Sequence, residues 1–200
     1  MTPARNRALA LSIFTVGYNV AEGVIAVVAS SLAGSSALLG FGLDSFIESL
    51  SGMVMIWRFW KYDVDSGEEE VEAIEKKASR LVAYSFFILA AYVVFEAVGA
   101  LVRQEAPEIS VIGIALAIAS LIVMPVLFLL KYRLGKSIGS KSLVADSKET
   151  LACLFLSVAL LAGLVAFYIW RLWWIDSACA LVIAMLILRE GVETLRESNE

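Results

Sequence analysis

The sequence predicts an all-α, polytopic membrane protein with six transmembrane helices and both termini cytoplasmic. Three observations carry that prediction. Hydrophobic residues make up 60% of the 200-residue chain, against about 45–50% in ordinary soluble domains, and the mean hydropathy is +0.82. The apolar residues collect into six segments near the length of about 20 residues that a bilayer requires. The basic residues lie almost entirely on alternate connections between those segments.

In chain order the expected helices cover residues 8–30, 36–60, 79–102, 109–132, 142–170 and 173–190, a single transmembrane domain with no soluble domain beside it. The first follows Arg5 and Arg7. Its length and its internal Glu22 argue against a cleaved secretory signal. The second ends at Trp57 and Trp60, aromatics that suit a membrane–water interface. Between the second and third, the acidic stretch "DVDSGEEEVEAIEKK" reads as a turn and a solvated helix start. The fourth contains Pro125, an expected kink. For the fifth, hydropathy alone begins only at Glu149, but a start near Ser140 suits a polar surface facing an aqueous vestibule. The sixth is the shortest and the least apolar.

Orientation follows from Arg58, Lys61, Lys76, Lys77 and Arg80 after the second segment and Lys131, Arg133, Lys136, Lys141 and Lys148 around the fourth-to-fifth connection. The opposite side offers only Arg103 and Arg171, so the positive-inside rule places both termini in the cytoplasm. A multi-pass protein of the plasma (inner) membrane is expected, with the lipid bilayer as its constant partner.

Several function classes are excluded. The net charge of −4, with no basic stripe, leaves no nucleic-acid partner. The absence of histidine removes bis-His haem, HExxH zinc hydrolysis and imidazole acid–base chemistry. The two cysteines, Cys153 and Cys179, sit in apolar segments and imply no disulfide framework. No enzyme and no resident cofactor is expected.

What demands explanation is "GFGLDSFIES", which sets Asp44 and Glu48 one helical turn apart inside an apolar run. A charged side chain at the bilayer centre costs about 2.5–3.5 kcal/mol on insertion scales. Glu22, Asp44, Glu48, Glu96, Glu149 and Asp176 all fall within or at the ends of segments, and no Lys or Arg is expected deep enough to neutralise them. Protonation or a bound cation is then the remaining remedy. Residues at i and i+4 share a helix face, so Asp44 and Glu48 present paired carboxylates that a divalent ion would stabilise, releasing protons as it binds. Glu149 and Cys153 repeat the spacing in "ADSKETLAC". Three oxygens and one sulfur on two facing helices suit a first-row divalent metal.

Bland readings stand beside these. Asp146 and Glu149 also fit a D-x-x-E helix cap before an apolar run, Asp176 fits a cap for the sixth helix, and Cys153 a small buried apolar residue. Asn19 and Glu22, at i and i+3, are either auxiliary ligands or proton acceptors, or packing contacts.

With these residues in view, the chain resembles the cation diffusion facilitator family of proton-coupled divalent-metal exporters. "SSALLGFGLDSFIES" is similar to the family's second-helix D-x-x-x-D, with Asp44 at the first acid and Glu48 at the second. "ADSKETLAC" is similar to its fifth-helix A-D-x-x-H-x-x-x-D, with Glu149 at the His position and Cys153 at the final Asp. The resemblance implies metal ligands at Asp44, Glu48, Glu149 and Cys153, with Asn19, Glu22 and Asp146 auxiliary, and a homodimer. It implies a short member without the cytoplasmic C-terminal domain and the His-rich loop, similar to vertebrate vesicular zinc effluxers lacking that domain. The thiol favours Zn²⁺ and the carboxylates Mn²⁺ or Fe²⁺; with the ions common in the resembled family, the expected order of transported ions is Zn²⁺, Fe²⁺, Mn²⁺. Two other readings are a proton-coupled exporter of organic cations, which needs one deep acid, and an intramembrane aspartyl protease built on Asp44 and Asp146.

Overall fold

Long apolar segments without internal breakers satisfy their own backbone hydrogen bonds only as helices in lipid, and the computed structural model contains six. It describes residues 3–61, 68–104 and 108–197. The helices are α1 (Pro3–Ala33), α2 (Ser36–Lys61), α3 (Glu68–Arg103), α4 (Val111–Ile138), α5 (Lys141–Trp170) and α6 (Ile175–Glu197). Five are long and apolar enough to cross a membrane; α6 is not among them. Its apolar stretch is short and begins beside Asp176, yet Ala180, Ile183, Ala184 and Ile187 are buried against the other helices. The chain is an all-α polytopic membrane protein.

The helices pack side by side in the order α1–α4–α5–α6–α3, and α2 lies between α1 and α3, touching both of them and also α5 and α6. That placement suits the composition of α2, whose Gly, Ser and Ala positions let neighbours come close. On α1 the sorting is inverted relative to a soluble helix. Ser12, Thr15, Asn19, Glu22, Gly23, Ala26 and Ala29 are buried, whereas Ile13, Phe14, Val24, Ile25, Val28 and Leu32 are exposed. Large apolar groups facing outward along a whole helix are at home in hydrocarbon, not water.

Two close approaches set the geometry that matters for the site. A Cβ at Gly42 would lie 2.8 Å from the Ala26 methyl, and one at Gly23 would lie 2.9 Å from the Gly42 carbonyl oxygen. Only glycine permits this crossing of α1 and α2. At the α4–α5 contact, a Cβ on Gly135 would stand 2.9 Å from the Val144 side chain. Ends are fixed by specific polar contacts. The Arg5 guanidinium donates to the Phe59 carbonyl at 2.6 Å and the Trp60 carbonyl at 2.8 Å, closing the C-terminus of α2.

The α4–α5 connection departs from the hydropathy boundaries. Helix α4 continues through Pro125 to Ile138 and stops at Gly139, a left-handed cap with φ of 68°. Ser140 then caps α5, its hydroxyl accepting from the Leu143 N–H at 3.3 Å. Asp146 and Glu149 therefore lie inside the helix, and the D-x-x-E cap reading is set aside. The polar sequence "KSLVADSKE" hid this start from hydropathy because it is helical but not apolar. The turn expected at 63–67 lies outside the described residues. Trp60, Trp170 and Trp174 are exposed at or next to helix ends, the level of the interfacial belt.

Candidate metal site

The acidic residues singled out in the sequence lie on the inner faces of the bundle. Asp44, Glu48, Asp146, Glu22 and Cys153 are buried, Asn19 is fully so, and Glu149 is half-buried. Asp44 and Glu48 lie on the buried face of α2, opposite the exposed Leu50 and Met53, and their separation along its axis is about 6 Å from the helical rise.

Across the α2–α5 contact, Glu48 lies beside Thr150 and Cys153, with Lys131 and Asp146 in electrostatic range. Both Glu48 carboxylate oxygens are buried without a hydrogen-bond partner. The nearby Thr150 hydroxyl donates to the Asp146 carbonyl at 3.2 Å. Glu149 lies beside Ser51 of α2 and keeps one oxygen, Oε2, unpartnered. Glu190 of α6 completes the acidic surroundings, within electrostatic range of both Asp44 and Glu149. Asn19 is buried with both amide atoms unpartnered.

No three Cys, Asp or Glu side chains close to metal-holding distance among the described residues. The structure brings Glu48 and Cys153 together and strings Asp44 and Glu149 along the same interface without gathering all four into one tetrahedron.

Glu22 of α1 has hydrogen-bond partners of its own and lies within electrostatic range of Asp44, Glu48 and Cys153. It accepts from Tyr18 Oη at 3.1 Å, from Ser45 Oγ at 3.1 Å, and from Ser120 Oγ. Three hydroxyls from α1, α2 and α4 thus surround a single carboxyl group. Glu96 is half-buried on α3, and no hydrogen bond or ion pair joins it to these groups among the described residues.

Two expectations are corrected. The sequence reading placed no basic side chain deep enough to neutralise the acids, but Lys131 is completely buried and its Nζ lies 2.9 Å from Asp146 Oδ2. Helix α4 runs well past the hydropathy boundary at Tyr132, so Lys131 falls inside it instead of at its rim. Asp176 does not cap the sixth helix. It accepts from the Ser36 and Ala37 N–H groups at 2.8 and 3.4 Å and from Ser35 Oγ at 2.5 Å, closing the N-terminus of α2. Missed by the sequence reading were Lys131, Glu190 and the hydroxyls of Tyr18, Ser45 and Ser120. The one usable signal was the i, i+4 alignment of Tyr18 with Glu22.

Paired acids on an inner helix, facing a Glu–Cys turn, are the residues by which comparison with known proteins can be judged. A model of the cation efflux transmembrane domain matches residues 12–200. The chain belongs to the cation efflux family. It is a cation efflux transporter, and not an enzyme. Transmembrane protein 163 of Xenopus laevis is 22% identical over 196 residues, covering 96% of this chain and 68% of that protein. The uncharacterized transporter sll1263 of a Synechocystis strain is 25% identical over 190 residues, 94% of this chain and 61% of the relative. The manganese efflux system protein MneS of Bacillus subtilis is 27% identical over 127 residues, 62% of this chain and 43% of the relative. The chain thus spans well under two thirds of MneS and somewhat under two thirds of sll1263.

Proposed function

We propose that this efflux transporter exports a divalent transition-metal ion from the cytoplasm in exchange for protons, with Asp44, Glu48, Glu149 and Cys153 as its ligands. The observation that carries the reading is Glu48: a carboxyl group buried within the bundle, beside a thiol on the facing helix, with neither oxygen hydrogen-bonded. Buried carboxyl groups without partners are costly, and a dication that visits the pocket gives these oxygens an electrostatic partner.

In the inward-facing arrangement the ion displaces protons from the carboxyl groups and from Cys153. Neutralising the set removes the repulsion between Asp44 and Glu48 and permits the outward-facing arrangement. Protons from the far side then compete for the same oxygens and release the ion. Glu22, held by three hydroxyls, accepts a proton beside the path and is not itself a ligand; Asn19 supplies an auxiliary amide oxygen. The transported ions rank Zn²⁺, Fe²⁺, Mn²⁺. The thiol supports the first, and the name of the Bacillus relative keeps the last in contention. The reading includes a homodimer in the plasma (inner) membrane, as the family resemblance implies.

The test is metal-driven proton flux in proteoliposomes carrying the full chain. Zn²⁺, Fe²⁺ or Mn²⁺ gradients should move protons, and Asp44→Ala and Glu48→Gln should each abolish that movement. Flux driven by a cationic dye but by none of the three metals would replace this reading with organic-cation export.

A further inference from the structure

Lys131 is the charged residue that the transport cycle leaves without a task. Its side chain is fully buried, its Nζ is 2.9 Å from Asp146 Oδ2, and it donates to Thr150 Oγ1 at 2.9 Å. Asp146 and Thr150 are one turn apart on α5, so a single face of that helix holds the ammonium. The Gly135 contact presses α4 against α5 just one turn further on, beyond the point from which a lysine could reach water by extending along its own helix.

The position of this ammonium matters more than its existence. Glu48 and Glu149 both lie within electrostatic range of Lys131, and Glu48 has no donor of its own. Of the four carboxyl groups at the α2–α5 contact (Asp44, Glu48, Asp146 and Glu149), one is matched in direct contact by a tethered monovalent cation. Glu48 and Glu149 feel that charge at a distance. Coulomb attraction at protein-like dielectric still acts over one or two helical turns when the groups are shielded from water.

We infer that Lys131 is an affinity-setting residue that fixes the net charge at the α2–α5 contact, occupying Asp146 so that it is not a metal ligand and weakening the hold of Glu48 and Glu149 on the ion. This rests on the metal-transport reading above. An exporter must release its ion as well as load it, and a fixed positive charge beside a cluster of carboxylates lowers affinity without removing a ligand.

The experiment uses the full chain in proteoliposomes, with initial rates of Zn²⁺ uptake measured over a range of concentrations for the unaltered protein, Lys131→Met, Asp146→Asn and the double variant. Folding is checked by melting temperature. Lys131→Met should lower KM and also lower kcat, because release slows. Asp146→Asn should raise KM by roughly tenfold, the scale expected for one unmatched charge at this range. The double variant, which removes the charges together, should return KM to within about threefold of the starting value, since the net charge is restored.

A KM in Asp146→Asn that does not move would reduce the pair to a structural contact and overturn the inference. A raised KM that the double variant fails to correct would make Asp146 a direct ligand, which overturns it equally. Both outcomes are read without Lys131→Met, so a failure of that variant to fold leaves the decision intact. Failure of the underlying reading is distinguishable, because the unaltered protein would then show no saturable Zn²⁺ uptake at all.

Discussion

Two buried aspartates show how differently the same side chain is used in this bundle. Asp176 is fully engaged, taking two backbone N–H groups and a serine hydroxyl at the start of α2. Asp44, on the same helix two turns further in, has no hydrogen bond among the described residues. The first is a structural cap that joins α6 to α2, and the second is a candidate ligand. Removing the cap strands donors that α2 cannot satisfy internally, a loss of about 1–3 kcal/mol. Asp176→Ala should therefore lower the melting temperature of the detergent-purified protein by several degrees while leaving the KM for metal unchanged. A KM shift matching that of the site variants would place Asp176 in the transport path instead.

At the scale of elements, the α1–α2 crossing determines whether Glu22 reaches Ser45. It depends on Gly23 and Gly42 lying against Gly42 and Ala26, with no room for a methyl group at either position. Forcing one in costs about 1–3 kcal/mol by overpacking. Gly42→Ala should destabilise the protein by that amount in a denaturation series and reduce the transport rate, as α1 is pushed away and the Glu22 hydroxyl network opens. A variant with unchanged stability would show that the crossing is looser than its backbone contacts require.

The same scale explains which parts were legible in the sequence. Helices α1 to α4 announced themselves by apolar length, and the inward acids of α2 by their lack of any reason to be in lipid. Hydropathy alone did not mark the start of α5, because "KSLVADSKE" is polar helix surface; the expected start near Ser140 rested on a polar face beside a vestibule, and α5 begins at Lys141. Lys131 was read as a rim residue for a related reason. Hydropathy marks where apolar character ends, whereas α4 ends where Gly139 turns the chain. Asp176 was misassigned because a cap is ordinarily local in sequence, and this one reaches 140 positions back to Ser36. Such pairings come from tertiary contact, and spacing carries no trace of them.

At the scale of the whole molecule, α2 packs between α1 and α3 and against α5 and α6, with its acids on the inner side and Leu50, Met53 and Trp60 turned outward. Large apolar side chains are also turned outward on α1 and at Leu81, Ile88 and Phe95 of α3. This arrangement keeps the acids on the inner faces of the bundle, away from lipid. It also accounts for a site that is strung along the α2–α5 contact. Alternating access requires the two helices to shift, and ligands distributed over both can gather around an ion in one arrangement and part in the other.

The central claim is that a dication binds between α2 and α5, held by carboxylates that include the unpartnered Glu48 oxygens and Glu149 Oε2. Anomalous diffraction at the zinc, iron and manganese edges, from crystals of the full chain soaked with each metal, tests it most directly. The account predicts one peak per protomer about 2.0–2.3 Å from oxygens of Asp44, Glu48 and Glu149 and the Cys153 sulfur, strongest for zinc. A peak elsewhere in the bundle, or none at saturating metal while those side chains stay apart, would contradict it.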